Sequence, residues 1–353
     1  VRAQRVDAPT GRLQRSPTPL ADSVEYFNPR DLGYFALSGS GDLIYRKRQS
    51  RKAQLVWVDP AARDPERVGD AGLYSFLRYG LNGKRSVLVQ RSGDGGSADI
   101  WIMDMSRGQA TRATFDNITG TVMGALSPDG SVLAVSAAAG AGWGASSTWL
   151  QSPSGGGRRE VILESSPFIV IGWSPDGKYL VVGLLRPKTS FDIAIIDLKG
   201  SRKPEILLGT QFNESASGIS PDGRWMTWAS DESGQNSVYL CDFPAARQKW
   251  QISSGAGGFS FWSPDGSKIY YNTTQGLMAV ELGKGATPDP GKPTSVFHDD
   301  AATADNAFPF VATDGKRFLT IAGKDALRIH EVITAPTPAP TWFGELVEAV
   351  AGK

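Results

Sequence analysis

The chain has very few of the residues on which metal-binding and disulfide-bonded proteins depend. Its 353 residues include one cysteine and two histidines. A single cysteine excludes an internal disulfide framework, and no cysteine–histidine cluster has the spacing of a zinc site. No apolar run approaches the roughly 20 residues that a membrane-spanning helix requires. The sequence therefore predicts no metal, no cofactor and no membrane-spanning segment.

An excess of one charge is also missing. The 37 basic and 36 acidic residues give a net charge of +1, whereas a nucleic-acid-binding domain would concentrate basic residues on one stretch. The chain also lacks the Gly-x-Ser-x-Gly elbow of many hydrolases and the glycine-rich loop, His-Arg-Asp and Asp-Phe-Gly motifs of protein kinases. These absences favour a non-catalytic protein that does not bind nucleic acid, and we expect it to be monomeric.

A four-residue turn recurs along the chain at a regular spacing. The complete copies are Ser127-Pro128-Asp129-Gly130, Ser174-Pro175-Asp176-Gly177, Ser220-Pro221-Asp222-Gly223 and Ser263-Pro264-Asp265-Gly266. Weaker copies contain Gly41, Gly83 and Gly315, so the turn returns about every 45 residues, which is the spacing of propeller blades.

The chemistry of this turn explains why it is repeated. Proline presets the φ angle of a turn, aspartate accepts hydrogen bonds from backbone N–H groups, and glycine adopts the positive φ that other residues resist. Because each copy serves its own repeat, we predict a structural role rather than a ligand role for these residues. The predicted structural residues are Asp129, Gly130, Asp176, Gly177, Asp222, Gly223, Asp265 and Gly266.

Each turn leads into a short apolar run, which is typical of a β-hairpin. Alternating strands such as residues 99–104 and 237–242 follow, and helical periodicity is absent as far as Ile333. The sequence therefore predicts an all-β fold, a β-propeller of four-stranded antiparallel blades. Seven blades are the expected number, and a truncated eight-bladed ring or a six-bladed ring are the alternatives.

We assign residues 1–334 to the propeller. Residues 1–24 are predicted to be outer strands that help to close the ring, with residues 12–21 as the outer strand of the last blade, because an open sheet edge is unfavourable. In the eight-bladed alternative, residues 1–24 are half of a truncated blade. No initiator methionine precedes Val1, so we expect a fragment or mature portion of a longer protein.

The last residues differ in composition from the propeller. Residues 335–340 have proline at every second position and predict a stiff extended linker. Residues 341–353 predict an amphipathic tail helix, which either packs on the propeller or docks on a partner. Its apolar face consists of Trp342, Phe343, Leu346, Val347 and Val350.

The turns, together with strands of the type Asp-Ile-Trp-Ile-Met-Asp, resemble the WD40-like, TolB-type propeller repeat over nearly the whole chain. Finer features lie at Ile44-Tyr45-Arg46 leading to residues 55–59, at Phe212-Asn213-Glu214, at residues 230–236 and at residues 342–346. They resemble the C-terminal propellers of membrane-anchored bacterial serine/threonine protein kinases, as found in acidobacteria. In that set a cytoplasmic kinase domain and a transmembrane helix precede the propeller. The resemblance implies an extracytoplasmic, periplasmic sensor domain that is membrane-anchored in the full-length protein, and it assigns no kinase residue here.

Candidate binding residues lie in the loops opposite the turns. The loops from second to third strand, and from fourth strand to the next blade, rim the top face of a propeller, and loops carry function more often than strands do. The candidates are Phe115, Asp116, Asn117, Trp143, Arg186, Lys188, Phe212, Asn213, Glu214, Asp231, Glu232, His298, Asp299 and Asp300. Aromatic residues with mixed charge suit recognition of a peptide or protein, and ordinary solvated loops are the alternative.

These features together predict a non-catalytic module that binds a peptide, a protein or a small ligand at its top face, as the sensor or interaction domain of a kinase. A periplasmic TolB-like interaction protein is one alternative. A propeller enzyme, either a hydrolase or a lyase with its site in the central channel, is another, and it would require carboxylates and a histidine to converge in one pocket.

Overall fold

The computed structural model describes residues 2–7, 12–19, 26–27, 32–33, 35–37, 43–45, 53–62, 65–80, 85–91, 97–116, 118, 121–138, 146–186, 190–283, 285, 287–298, 312–323 and 331–333. The chain divides into two compact units, Arg51–Ala326 and the combination of Val1–Ser50 with Leu327–Lys353. The predicted linker at residues 335–340 and the predicted tail helix at residues 341–353 lie outside the described residues.

In the unit made from the two ends of the chain, the described residues form short antiparallel pairings. With strands numbered along the chain, β1 (Arg2–Asp7) pairs with β2 (Arg12–Pro19), β3 (Tyr26–Phe27) pairs with β4 (Leu32–Gly33), and β6 (Leu43–Tyr45) lies between β5 (Phe35–Leu37) and β31 (Glu331–Ile333).

The unit Arg51–Ala326 contains five blades of four consecutive antiparallel strands. Blade 1 has β9 (Tyr74–Tyr79), β10 (Arg85–Arg91), β11 (Ala98–Asp104) and β12 (Gln109–Arg112). Blade 2 has β13 (Thr121–Leu126), β14 (Leu133–Ala138), β15 (Ser146–Gln151) and β16 (Glu160–Ser166). Blade 3 has β17 (Phe168–Trp173), β18 (Tyr179–Arg186), β19 (Ser190–Asp197) and β20 (Pro204–Leu208). Blade 4 has β21 (Glu214–Ile219), β22 (Trp225–Ser230), β23 (Ser237–Asp242) and β24 (Lys249–Gln251). Blade 5 has β25 (Gly258–Trp262), β26 (Lys268–Thr273), β27 (Gly276–Glu281) and β28 (Thr294–His298).

A sixth four-stranded sheet, the composite blade, is assembled from the two ends of this unit. Its order is β29 (Ala312–Thr313), β30 (Phe318–Gly323), β7 (Ala53–Val58) and β8 (Glu66–Gly72). The predicted all-β class with four-stranded antiparallel blades is confirmed. No helix in the described part of the chain is long and apolar enough to cross a membrane.

Tryptophans that precede the turns tie neighbouring first strands together. Trp173 Nε1 donates to the carbonyl oxygen of Ala125 at 3.0 Å, and Trp262 Nε1 donates to that of Gly218 at 3.3 Å. A buried indole needs such a partner, because leaving its N–H group unpaired would be costly. The residue before the turn therefore sets how the first strands of adjacent blades approach each other.

Hydrophobic clusters between the sheets run in cyclic order. One cluster joins Leu55 and Leu319 of the composite blade to Leu77 of blade 1. The others join blades 1 and 2, 2 and 3, 3 and 4, 4 and 5, and finally blade 5 to the composite blade. Each sheet thus buries its faces against its neighbours, as expected for a radial repeat, and the ring of this unit is closed.

The ring closes differently from the sequence prediction. β30 pairs with β7, with Phe318 opposite Val58, and the outer strand of the composite blade is β8. β2, which covers most of the segment 12–21 expected in that position, pairs with β1 instead. The first and last repeats, which the sequence predicts to be separate blades, supply two strands each to a single blade, so seven blades are not found among the described sheets. The pairing of β30 with β7 satisfies the open edge of each strand. Because the two strands are far apart in the sequence, no local pattern predicts that they pair.

Candidate functional site

The four Ser-Pro-Asp-Gly turns join the first and second strands of blades 2 to 5, at what we call the turn end. Ser127 Oγ donates to Asp129 Oδ1 at 2.6 Å and accepts from the backbone N–H of Val132 at 2.9 Å. The N–H of Gly130 donates to the carbonyl oxygen of Ser127 at 2.8 Å. The other three copies make the same bonds. The serine and aspartate side chains of each turn therefore find their partners inside that turn.

The electrostatics and the backbone of the turns fit a structural role. Hydrogen bonds from Ser127 and Ser131 lower the pKa of Asp129 to about 2, and those from Ser263 and Ser267 do the same for Asp265. The turn glycines have φ angles of +73°, +66°, +75° and +71° at Gly130, Gly177, Gly223 and Gly266. This is the left-handed conformation that glycine adopts without a steric penalty.

Loops at the opposite end of blades 3 to 5 are held against one another. The N–H of Asn213, between β20 and β21, donates to Asp231 Oδ1 at 3.0 Å. The N–H of Gly257, just before β25, donates to the carbonyl oxygen of Asn236 at 2.8 Å. These bonds join three loops into one surface, which we call the acidic rim. It is defined by Asp192, Thr210, Asn213, Glu214, Asp231 and Phe259.

Glu214 is a buried carboxylate of the acidic rim, with 2% of its surface exposed. Thr210 Oγ1 donates to its Oε1 atom, but its Oε2 atom is buried and has no hydrogen-bond partner among the described residues. Burial raises the pKa of Glu214, the bonds from Thr210 oppose that rise, and the charges of Asp192 and Asp231 add to it. Glu214 is therefore a carboxylate whose surroundings disfavour its charge.

Asn213 adds a second buried acceptor beside Glu214. Its Oδ1 atom is buried and receives no hydrogen bond from the part of the chain that the structure describes. Buried polar atoms are almost always hydrogen-bonded in native proteins, so two neighbouring exceptions call for an explanation. Both atoms are acceptors, so the group that would satisfy them is a hydrogen-bond donor.

Other charges of the rim already have partners. Arg186 Nε forms an ion pair with Asp192, and Lys249 Nζ donates to Glu232 Oε1 at 2.6 Å. The N–H of Phe212 donates to Thr210 Oγ1 at 3.0 Å, which orients the hydroxyl that binds Glu214. These contacts fix the loops around Glu214 without satisfying its second oxygen.

Phe259 is an exposed aromatic residue in an unfavourable backbone conformation. It has a φ of +46°, and 71% of its surface is exposed. It lies in an irregular part of β25, where the pairing register shifts between Gly258 and Phe261. Asn272 Nδ2 donates to its carbonyl oxygen at 2.8 Å. Strain at a non-glycine residue persists only where surrounding structure enforces it, and it is concentrated at functional sites.

The structure brings together five of the predicted rim residues, namely Arg186, Phe212, Asn213, Glu214 and Asp231, with Glu232 at the edge. Phe115 and Asp116 are separate from this group, since Asp116 binds Arg159 through two hydrogen bonds of 2.9 and 2.7 Å. His298, predicted in a polar loop, is the last residue of β28. The predicted residues Asn117, Trp143, Lys188, Asp299 and Asp300 lie outside the described residues.

Three members of the acidic rim were missed by sequence reasoning: Asp192, Thr210 and Phe259. A carboxylate inside an otherwise apolar strand, as in Ser190–Asp197, was the available signal for Asp192. The Gly257-Gly258 pair before Phe259 was a signal for irregular backbone. No sequence pattern indicates Thr210, because its role is to donate a hydrogen bond to Glu214, four residues later in the chain.

The described residues show neither a metal-binding cluster nor a reactive thiol. They contain no group of three or more histidine, cysteine, aspartate or glutamate side chains that could hold a metal ion. Burial raises the pKa of the Cys241 thiol to about 12, so this cysteine is unreactive at neutral pH.

Comparisons with known proteins agree with the fold. No protein family model matches the chain. An uncharacterized protein of Agrobacterium fabrum is 27% identical over 225 residues, which cover 63% of this chain and 70% of that protein. The structure of a putative TolB from Agrobacterium tumefaciens has a TM-score of 0.59 and 19% identity, covering 79% of this chain and 100% of that one. TolB from Acinetobacter baumannii has a TM-score of 0.46 and 17% identity, covering 82% and 66%. The chain has a TolB-like β-propeller fold, as its repeats predicted.

Proposed function

We propose that this chain is a non-catalytic binding module whose acidic rim takes a positively charged, hydrogen-bond-donating group of a peptide or protein. The observation that carries the proposal is the pair of buried acceptors, Glu214 Oε2 and Asn213 Oδ1, that no described residue satisfies. A lysine ammonium or an arginine guanidinium carries several donors and no acceptor, so either has the chemistry to donate to these acceptors.

The charges of the rim favour the same class of partner. Glu214 is buried near the charges of Asp192 and Asp231, and a buried carboxylate is costly unless a cation compensates it. A cationic side chain from a partner would pair with Glu214 and offset that cost through a charge-assisted hydrogen bond. Exposed Phe259 would supply an apolar contact of the kind that anchors protein interfaces.

In this proposal the chain is the extracytoplasmic sensor or interaction domain of a membrane-anchored bacterial serine/threonine protein kinase. The resemblance at residues 44–46, 212–214 and 230–236 supports it, and a TolB-like fold is compatible with a protein-interaction role. The gene sequence upstream of Val1 is the test. A kinase domain followed by one spanning helix is expected there, and a different N-terminal domain would favour a periplasmic TolB-like protein instead.

Binding at the rim can be measured with peptides selected from a random library against the full chain. Fluorescence anisotropy should show binding of peptides that contain lysine or arginine, and loss of binding when these residues are replaced by acetyl-lysine or citrulline. Glu214→Gln should weaken binding by about thirtyfold, since disrupting a buried charged pair costs about 2 kcal/mol or more.

The matched control is Glu232→Gln, because Glu232 follows Asp231 at the edge of the acidic rim but already pairs with Lys249. Its effect on affinity should be small. Equal losses in the two variants, or undiminished binding of the citrulline and acetyl-lysine peptides, would contradict the proposed role of Glu214.

A further inference from the structure

Arg78, a partly accessible arginine whose Nε atom is buried, lies in the first strand of blade 1. It belongs to β9 of blade 1, yet its guanidinium reaches β17 of blade 3. The Nη1 atom of Arg78 lies 3.8 Å from the position that a Cβ atom on Gly172 would occupy. β13 of blade 2 stands between these two strands in the ring. Arg78 therefore extends past the neighbouring blade, along the channel that the first strands border.

Gly172 leaves room for this side chain, since Arg78 Nη1 is what an added Cβ atom would contact there. Ala125, Gly172 and Gly218 each lie two residues before a turn serine, near the ends of β13, β17 and β21. Equivalent positions on three consecutive first strands thus carry a methyl group or no side chain. Gly172 lies towards the turn end, at the opposite end of the first strands from Glu214, which begins β21.

The guanidinium has an incomplete set of partners. Arg78 Nε is buried and donates no hydrogen bond to any residue that the structure describes. Burial lowers the pKa of Arg78 to about 10, and no charged neighbour contributes to that change. The guanidinium carbon lies 5.5 Å from the ring centre of Phe76, a cation–π contact that leaves the planar N–H donors available. The residue as a whole keeps part of its surface accessible.

We infer that Arg78 is the anchor of an oxyanion-binding site in the channel, one that takes a carboxylate or phosphate group of a ligand. Among the described residues no counter-ion pairs with Arg78, and a desolvated charge without one opposes folding, so folding alone does not account for this residue. The planar guanidinium presents paired N–H donors that match the geometry of carboxylate and phosphate oxygens. Desolvation of the buried Nε atom strengthens such a pair relative to water. This site is independent of the acidic rim and has the opposite charge preference.

The test follows the Nε–Hε signal of Arg78 by NMR in the full chain, assigned by its loss in Arg78→Lys. Titration with sodium acetate and with inorganic phosphate should shift the signal saturably, with a dissociation constant of about 1 mM or tighter. Sodium chloride at equal ionic strength should not. Saturation by acetate alone identifies a carboxylate ligand, and saturation by phosphate alone identifies a phosphate ligand. Glu214→Gln should keep the response, which separates this site from the rim.

Thermal unfolding gives a second readout that does not depend on the NMR signal. The effective anion should raise the Tm of the wild type, because it binds only the folded state, and should leave the Tm of Arg78→Gln unchanged. If Arg78→Gln does not fold, Arg78→Lys serves instead and should bind about tenfold more weakly, since the point charge lacks the planar fork. No saturable shift, an equal response to chloride, or an equal rise in Tm in the substituted protein would overturn the inference.

Discussion

At the turn end, Asp265 accepts hydrogen bonds from Ser263 and Ser267, and its pKa falls to about 2. At the rim, Glu214 is buried near two other carboxylates, and its pKa rises. The same functional group on neighbouring blades thus meets opposite surroundings. The serine and aspartate side chains of each turn are hydrogen-bonded within that turn, so the repetition of the turn serves the fold. The rim holds acceptors that its own described residues do not satisfy, and this difference separates the candidate site from the repeated structure.

The backbone shows a parallel difference. Gly177 has a φ of +66°, and Phe259 has a φ of +46°. Glycine adopts this region freely, whereas a residue with a Cβ atom is disfavoured there by about 1–2 kcal/mol. Arg202 and Ala246 also have positive φ angles, but both lie in connections from a third to a fourth strand. Phe259 combines the unfavourable conformation with an exposed aromatic ring beside the acidic rim.

The largest effect is expected from Gly177→Val at the turn end. The substitution should lower the free energy of unfolding by roughly 1–3 kcal/mol, because a β-branched residue resists positive φ. A Cβ added at Gly177 would lie 3.9 Å from Cδ of Pro128, an ordinary contact, so the loss comes from the backbone and not from a clash. Chemical denaturation measures it.

Gly156→Val is the matched control for this prediction. Gly156 has no heavy atom within 4 Å of an added Cβ, and its φ lies outside the left-handed region. Its substitution should change stability by about 0.5 kcal/mol or less. Equal losses at the two glycines would show that the turn conformation is not the cause.

The sequence predicted the repeated parts of the molecule better than the parts that occur once. Turns such as residues 174–177 reveal blades 2 to 5, because their residues interact within a few positions of one another. The pairing of Phe318 with Val58 has no such local pattern, so two halves of one blade were counted as two. At the rim, chain connectivity predicts that Glu214 and Asp231 lie at one end, and the bond from Asn213 to Asp231 joins their loops there. Chain connectivity could not reveal the surroundings of Arg78, because they include Gly172 of blade 3.

A smaller effect of opposite sign is expected from Glu214→Gln. The folded state raises the pKa of Glu214 above its ordinary value of 4.5, so the folded protein favours the protonated form. Below pH 4.5 the carboxyl is neutral in both states and carries no penalty. The penalty develops as the pH rises from 4.5 through the raised pKa, and it is complete above that. Removing the charge should therefore raise stability at neutral pH by about 1 kcal/mol.

Denaturation curves at neutral pH and at pH 4 check this expectation. The gain from Glu214→Gln should be present at neutral pH and should vanish at pH 4. Glu232→Gln should instead lower stability by about 0.2–1 kcal/mol at neutral pH, because it removes the ion pair with Lys249. A loss of stability in Glu214→Gln at neutral pH would mean that its charge is satisfied in the folded protein.

The smallest change in stability is expected from Phe259→Gly, the reverse of the substitution at Gly177. Glycine relieves about 1–2 kcal/mol of backbone strain. Its greater conformational freedom in the unfolded chain opposes folding by about 0.5–1 kcal/mol. Little packing is lost, since 71% of the residue is exposed. The variant should therefore be as stable as the wild type or about 0.5 kcal/mol more stable, while peptides selected on the wild type should bind it more weakly. A loss of about 3 kcal/mol, the scale of removing a buried phenylalanine, would show that the ring serves the core and would remove Phe259 from the recognition surface.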